Sequence, residues 1–355
     1  MEIAASRETP STGCFVQLAR ECGFELAGVA PALPLNEFAF YRQWVEAGLA
    51  GPMDYLTDHR LAARADPRHL LPSVRSVLCM GKLYKTKEPD LASGNGRVSR
   101  YAWGSGDYHD VLSAGLKRLI ARLKERWGEF EHRICIDTAP LLERAYAQAA
   151  GLGWIGKNTC LINQPLGSWF FLGEILVSVA VPPDTPPPDR CGTCRRCIDA
   201  CPTQALVPNP GPAGPAWQLD ARRCISTLTI EQRGATPEPL RAPTGDLLFG
   251  CDICQEVCPW NVRAPSTAEP TFQPVNASID PGEIASLTAD EFHARFRRTP
   301  LWRARHAGML RNAATVMGNS RDPRYRPVLA RLAQSADPGV ASHANWALSR
   351  PLDAG

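Results

Sequence analysis

The sequence predicts a mixed α/β and α+β chain of three consecutive units, residues 1–181, 182–265 and 266–355. Three observations carry this reading. Apolar, β-branched runs alternate with helical periodicities over the first half. The proline-rich PPDTPPPDR at 182–190 then opens a stretch in which cysteine recurs at short intervals. After a further proline-bearing passage, the chain ends in short amphipathic helices broken twice at Asp-Pro.

In the first unit, CFVQLAREC at 14–22 has helical spacing and stops at Gly23, and FELAGVA reads as a buried strand. Residues 36–47 form a second helix ended by Gly48 and the Gly51-Pro52 pair. VRSVLCM at 74–80 and HRICID at 132–137 are strands. Between them Leu112, Leu116, Leu119, Leu123 and Trp127 mark one face of a long helix, giving a sheet covered by helices. Thr138 is placed to cap a helix with Pro140 in its first turn and Gly151 at its end. The glycine-dense GLGWIGKNT at 151–159 suits close backbone approach, and FFLGEILVSVAV closes the unit as a strand. Gly151, Gly153 and Gly156 nearly satisfy G-x-G-x-x-G, but they follow a helix rather than a strand, which excludes a dinucleotide fingerprint.

A hydrophobic content of 44% supports real cores, and no apolar run is long enough to span a bilayer. The N-terminal MEIAASRETP lacks the basic and apolar regions of a secretory signal. A cytoplasmic monomer without membrane contact is the expectation. A net charge of +3 is too small by itself to announce nucleic acid, so its distribution has to be read.

CGTCRRCIDACP at 191–202 has the spacing with which tight turns bring thiolates onto an iron–sulfur cube, and in two-cluster ferredoxins the fourth cysteine serves the other cluster. CDICQEVCP at 251–259 repeats the tail of that run without its leading cysteine, which Cys224 supplies. The expected ligand sets are Cys191, Cys194, Cys197 and Cys258 for one [4Fe–4S] cluster, and Cys201, Cys224, Cys251 and Cys254 for the other. Zinc also takes four thiolates, but it does not call for the third cysteine or for the closing Cys-Pro in both halves. The remaining Cys14, Cys22, Cys79, Cys135 and Cys160 stand singly in apolar surroundings and read as buried thiols.

In the third unit Arg311-Asn312-Ala313-Ala314 and His343-Ala344-Asn345-Trp346-Ala347 are similar phrases about one helical hairpin apart, resembling a HEAT-like repeat. From Phe292 to Ser320 no acidic residue occurs, while Arg295, Arg297, Arg298, Arg303, Arg305 and Arg311 gather with His293, His306, Phe296 and Trp302. Such a surface suits phosphate contact with aromatic stacking; a solvated helical face is the plain alternative.

Two clusters move electrons but make no bonds, so the first unit should hold their acceptor. Here the chain resembles the epoxyqueuosine reductase family, through GPMDYL at 51–56, SRYAWGSGDYH at 99–109, DTAPLLERA at 137–145, GLGWIGKNT, GSWFFLGE at 167–174, both cysteine runs and DARRCISTLTIE at 220–231. The resemblance implies a nitroreductase-like cobalamin-binding domain, a two-cluster ferredoxin domain and helical repeats. It implies reduction of epoxyqueuosine to queuosine at the wobble position of transfer RNA, with cobalamin fed by two [4Fe–4S] clusters and an external donor such as flavodoxin or ferredoxin. Asp137 matches the family's proton donor, a role for which an apolar pocket should raise its pKa; on the residues alone it reads as a helix cap. The implied cobalamin contacts are Arg64, Tyr101, Asp137, Leu161, Leu172, Ser226 and Asp252. LAARADPRHL around Arg64 carries one residue more than the family phrase. Asp107-x-His109 begins a cobalt-ligating phrase, but Leu112 replaces its glycine, so His109 reads as a pocket or structural residue. The rival functions are a cobalamin-dependent reductive dehalogenase-like reductase and a non-catalytic iron–sulfur electron carrier.

Overall fold

In the computed structural model, residues 8–91 and 94–351 are described. The first half supplies strands β1 (Leu26–Pro31), β2 (Ser76–Leu83), β3 (Gly96–Val98), β4 (His132–Cys135), β5 (Trp154–Ile155), β6 (Leu161–Ile162) and β7 (Phe170–Val177). Its helices are α1 (Thr12–Glu21), α2 (Glu37–Glu46), α3 (Leu61–Ala65), α4 (Tyr108–Trp127) and α5 (Glu143–Ala149). The main sheet has the order β1-β2-β7-β4, and each neighbouring pair is antiparallel. Because side chains alternate across a strand, β7 sends Ile175 and Val177 to one face and Leu172, Glu174 and Leu176 to the other. The first face packs on Phe15 and Leu18 of α1 and Leu112, Leu116 and Leu119 of α4. The second packs on Tyr146 and Ala147 of α5.

The helix after β4 begins later than the sequence suggested. Thr138 does not cap it, and neither does Asp137. Leu142 is the residue before the first turn, and no side chain caps there. Glu143 reaches back to accept the Asp137 N–H, and Asp137 takes φ +45°. This interaction holds residues 137–142 as a turn instead of a helical start.

β3 leaves the main sheet and lies between the strands Leu247–Phe249, parallel to it, and Ser278–Ile279, antiparallel. Segments from all three parts of the chain therefore share one small sheet. In the tail, the helices Arg305–Ser320 and Pro338–Ser349 pack through Ala313, Ala314, Met317, Val340, Ala344 and Ala347. A Cβ at Gly318 would come within 2.6 Å of Ala347 Cβ, so a side chain there would push the pair apart. Among the described residues no helix is long and apolar enough to cross a membrane.

Candidate functional site

Cys191, Cys194, Cys197 and Cys258 line a cavity of about 240 Å³ together with Lys157, Asn158, Arg190, Arg196 and Trp260. Burial pushes the Cys197 thiol up to about 11, and its charged neighbours are Cys191, Cys258 and Cys194. The other four cysteines form a separate neighbourhood. Burial pushes Cys251 up to about 12, with Cys224 and Cys201 adding to the rise; Cys254 is raised first by its hydrogen bond with Cys160 and by burial, and further by Cys251 and Cys224. Two groups of four cysteines, each gathered in space, fit two clusters, whose iron would hold the sulfurs as thiolates.

The glycine-dense loop braces both groups. Lys157 Nζ donates to the carbonyls of Gly192 and Cys194 at 2.6 and 2.9 Å, and Asn158 Nδ2 donates to the Cys254 carbonyl at 3.2 Å. Gly153 is required because a Cβ there would lie 2.2 Å from the Ile162 carbonyl oxygen. Cys160 departs from the expected inert thiol: it is half-buried and lies beside Cys254, whose hydrogen bond holds its pKa below the usual thiol value. Cys14 is also half-buried, whereas Cys22, Cys79 and Cys135 are buried.

Asp137 lies in a cleft between the first unit and the segments after it. Its Oδ2 accepts from Tyr108 Oη at 3.0 Å and lies 3.3 Å from His109 Nε2. Asp107 begins α4 and accepts the His109 N–H, which turns the imidazole toward Asp107 Oδ1, 2.9 Å from Nδ1. Arg303, from the tail, reaches Asp107 at 3.2 Å, stands 2.8 Å from His109 Nδ1 and lies over the Tyr108 ring at 5.0 Å. With His109 charged, Nδ1–H serves Asp107 and Nε2–H faces Asp137, so Arg303 bears on the pair through Asp107. Tyr108 stacks on Phe171 at 4.2 Å and Phe171 on Tyr84 at 4.5 Å, giving the cleft an aromatic wall.

The charges are opposite to the simplest expectation. Burial alone would raise the Asp137 carboxyl, but the His109 imidazole 3.3 Å away, then Tyr108 and Arg303, hold it below the usual carboxylate value. The raised pKa expected for Asp137 is therefore overturned, because half of its side chain is open to the cleft and cationic partners outweigh its desolvation. Burial would lower His109, yet Asp107 and Asp137 bring it up to about 9. Asp107 falls to about 2: against the upward push of burial stand the hydrogen bonds from His109 and the charge of Arg303. At neutral pH the proton of this group is on His109.

Of the other residues implied for a cofactor, Arg64 is buried, and its Nη2 donates to the Tyr55 carbonyl at 2.9 Å. Tyr101 stands edge-on to Tyr108 with centroids 6.2 Å apart. Asp252 is buried and spends its carboxylate on Ser99 Oγ and the Arg100 N–H, both at 2.6 Å, which fixes the turn leading to Tyr101. Ser226 is half-buried on the helix Ile225–Ile230, two residues from Cys224. Leu161 and Leu172 belong to the core on the α5 side of the sheet, Leu161 fully and Leu172 partly buried. Nη1 of Arg64 and of Arg303 are buried donors without a hydrogen-bond partner, the kind of group that the polar periphery of a large cofactor would satisfy. Residues and cofactor fit.

The sequence gives no separate sign of Glu143, Tyr55 or Glu231, and it places Arg303 among the phosphate contacts rather than in the cleft. Burial raises the exposed Tyr55 phenol, with Glu231 and then Asp137 adding to it, and burial and Asp137 raise the half-buried Glu231, so both lie near Asp137. Tyr55 lies in the phrase GPMDYL and Glu231 in TLTIE.

The basic stretch is reorganised. Arg311 is buried and donates to the carbonyls of Leu228, Gln232 and Gly234, so it is no surface contact. Phe292 and Phe296 are buried core residues, Trp302 is half-buried with Arg305 over its ring, and Arg303 turns into the cleft. His293, Arg295, Arg297, Arg298 and Arg305 are exposed, with Arg295 paired to Glu283. A helix that looks solvated by composition is here clamped at its centre, because its arginine meets the open carbonyls of the 228–234 segment.

Comparison with known proteins places this geometry. Residues 64–138 match the family model described as epoxyqueuosine reductase QueG, DUF1730, and residues 190–261 match the 4Fe-4S double cluster binding domain. An epoxyqueuosine reductase of Xanthomonas campestris is 42% identical over 94% of this chain and 94% of its own length. One of Pseudomonas aeruginosa is 41% identical over 93% and 92%. The crystal structure of an epoxyqueuosine reductase with an epoxyqueuosine-modified tRNA-Tyr stem loop superposes with a TM-score of 0.86 at 29% identity, over 95% of this chain and 89% of that one. The chain belongs to the epoxyqueuosine reductase family.

Proposed function

We propose that the chain is the oxidoreductase that converts epoxyqueuosine to queuosine in transfer RNA, opening the epoxide and releasing its oxygen as water with two electrons and two protons. The observation that carries this reading is the carboxylate of Asp137, held between Tyr108 and His109 with half of its side chain open. When bound, two [4Fe–4S] clusters supply electrons singly, and cobalamin supplies a low-potential cobalt centre for the substrate carbon.

The chain's own residues provide position and protons. His109 holds a proton at Nε2 facing Asp137, which passes it to the leaving oxygen. Arg303 and Asp107 fix the imidazole, and the wall of Tyr108, Phe171 and Tyr84 shields this side from water. Cys191, Cys194, Cys197 and Cys258 hold the cluster nearer the surface, where a flavodoxin or ferredoxin donates. Cys201, Cys224, Cys251 and Cys254 hold the one nearer the cleft. Arg64, Tyr101, Ser226 and Asp252 line or support the cobalamin pocket, and Leu161 and Leu172 back it from the core. The antiparallel sheet unit is read as nitroreductase-like, the tail as HEAT-like, and the exposed His293, Arg297, Arg298 and Arg305 as phosphate contacts for the RNA. A cytoplasmic monomer suits this work.

The test supplies anaerobic protein with reductant, cobalamin and epoxyqueuosine-bearing transfer RNA, and follows the modified nucleoside by mass spectrometry. Loss of one oxygen is the expected result; unchanged nucleoside with both clusters intact would overturn the reading.

A further inference from the structure

Behind Asp137 lie two carboxyl groups that the steps above do not use. Glu174, in the middle of β7, is fully buried, and neither of its carboxyl oxygens has a hydrogen-bond partner. The strand register sets it directly between Cys79 of β2 and Cys135 of β4. It projects to the face covered by α5, whose first residue is Glu143. Glu143 accepts the backbone N–H of Asp137 at 2.5 Å, and Asp137 is the residue at φ +45°, a region that a non-glycine residue occupies only when its surroundings impose it.

We propose that Glu143 is a positioning residue: by accepting the Asp137 N–H it holds Asp137 in its left-handed conformation with the carboxylate turned to His109 and Tyr108, while Glu174 behind it stays protonated. The inference rests on the role given to Asp137 above. A buried carboxyl without a partner is far cheaper neutral than charged, and a second acid facing it disfavours its ionisation further. Burial first, then the charge of Glu143, raises Glu174 accordingly. Glu143 faces Asp137 from the preceding turn, His109 from α4, Arg144 on its own helix and Glu174 from β7. Cys79 and Cys135 flank Glu174 as thiols raised by burial and by the same acids. Arg144 is engaged with the Thr159 carbonyl. Burial, reinforced by Asp137, brings Glu143 up to about 8, so it is the acid of this pair that changes charge near neutrality.

The test compares Glu143→Gln, Glu143→Asp, Glu143→Ala and Glu174→Gln in the full chain loaded with clusters and cobalamin. Gln keeps an acceptor oxygen at the same reach, so E143Q should retain kcat within about tenfold of the parent. Asp falls one methylene short and Ala has no acceptor, so both should lose about 100-fold in kcat with KM, iron, sulfide and corrinoid contents unchanged. An NMR titration of His109, independent of turnover, should show its pKa falling by at least about one unit in E143D and E143A as Asp137 leaves it, and restored in E143Q. E174Q, a neutral replacement for a neutral acid, should stay within about twofold in kcat. The proposal is overturned if E143D turns over like the parent, if E143Q is as impaired as E143D, or if the His109 titration is the same in all. Absence of product from the parent enzyme would instead count against the reading of the reaction, and the His109 titration would still judge the role of Glu143.

Discussion

Arg303 and Arg311 stand in the same tail segment, and each works beside a histidine, yet the two pairs behave oppositely. At the cleft His109 is brought up to about 9, and Arg303, despite burial, is raised by Tyr108 and Asp107. In the tail burial, then Arg241 and Arg311, press His343 down to about 3, and burial presses Arg311 down to about 10. The histidines differ in depth, His343 being 1% exposed and the His109 side chain 26%, and also in partners. His109 faces the carboxylates of Asp107 and Asp137. His343 accepts the Thr236 N–H at 2.9 Å and meets Thr315 Oγ1 at 2.7 Å. Arg303 ends on a carboxylate, whereas Arg311 ends on three carbonyls. Carboxylates keep mobile charge at a site where a proton is needed. Neutral acceptors use the same residue types as a clamp, here on the segment that follows Cys224.

The largest expected effect lies at the cleft. Asp137→Asn should lower kcat by about 1,000-fold or more while iron, sulfide and corrinoid contents stay unchanged, since it removes the group that hands over the proton. Arg303→Gln should follow at about 10- to 100-fold in kcat with little change in melting temperature, because it loosens Asp107 and His109 without opening a core. Arg311→Ala should reverse that pattern. It leaves the carbonyls of Leu228, Gln232 and Gly234 unpaired, which costs about 3 kcal/mol. A lower melting temperature with near-normal kcat in the folded fraction is the outcome to look for; an Arg303-like kinetic defect at full stability would erase the distinction between the two pairs.

The smallest effects are opposite slopes in pH. His109 is raised in the folded chain, so its contribution to stability is complete below its ordinary value of about 6.5 and is lost as pH rises through about 9. His343 is depressed, so its contribution is present above about 6.5 and is lost as pH falls toward about 3. Melting temperatures across pH 4–10 should decline at both ends. His109→Asn should flatten the alkaline decline and His343→Asn the acid one. The kcat profile should lack the acid limb and fall on the alkaline side, where Glu143 titrates near 8 and His109 near 9.

The spacing of the cysteines and the apolar periodicity by themselves determined the two cysteine runs, the helices α1, α2 and α4, and the four strands of the main sheet, because each rests on residues close together in the chain. Family phrases pointed to Asp137 and to Tyr101. Tertiary structure decided what those residues meet. Strand direction is not written in alternation, so the antiparallel order came only from pairing across the chain. An arginine on an amphipathic helix looks solvated until the carbonyls that receive it arrive from 79 residues away, as Gln232 does for Arg311. The ionisation of Asp137 was misjudged from the sequence for the same reason. Desolvation can be guessed from apolar neighbours, but the cation that outweighs it, His109, comes from another element and is held there by Arg303, 194 residues further on. Electrostatic free energy depends on distances in space, and those exist only once the chain has closed on itself.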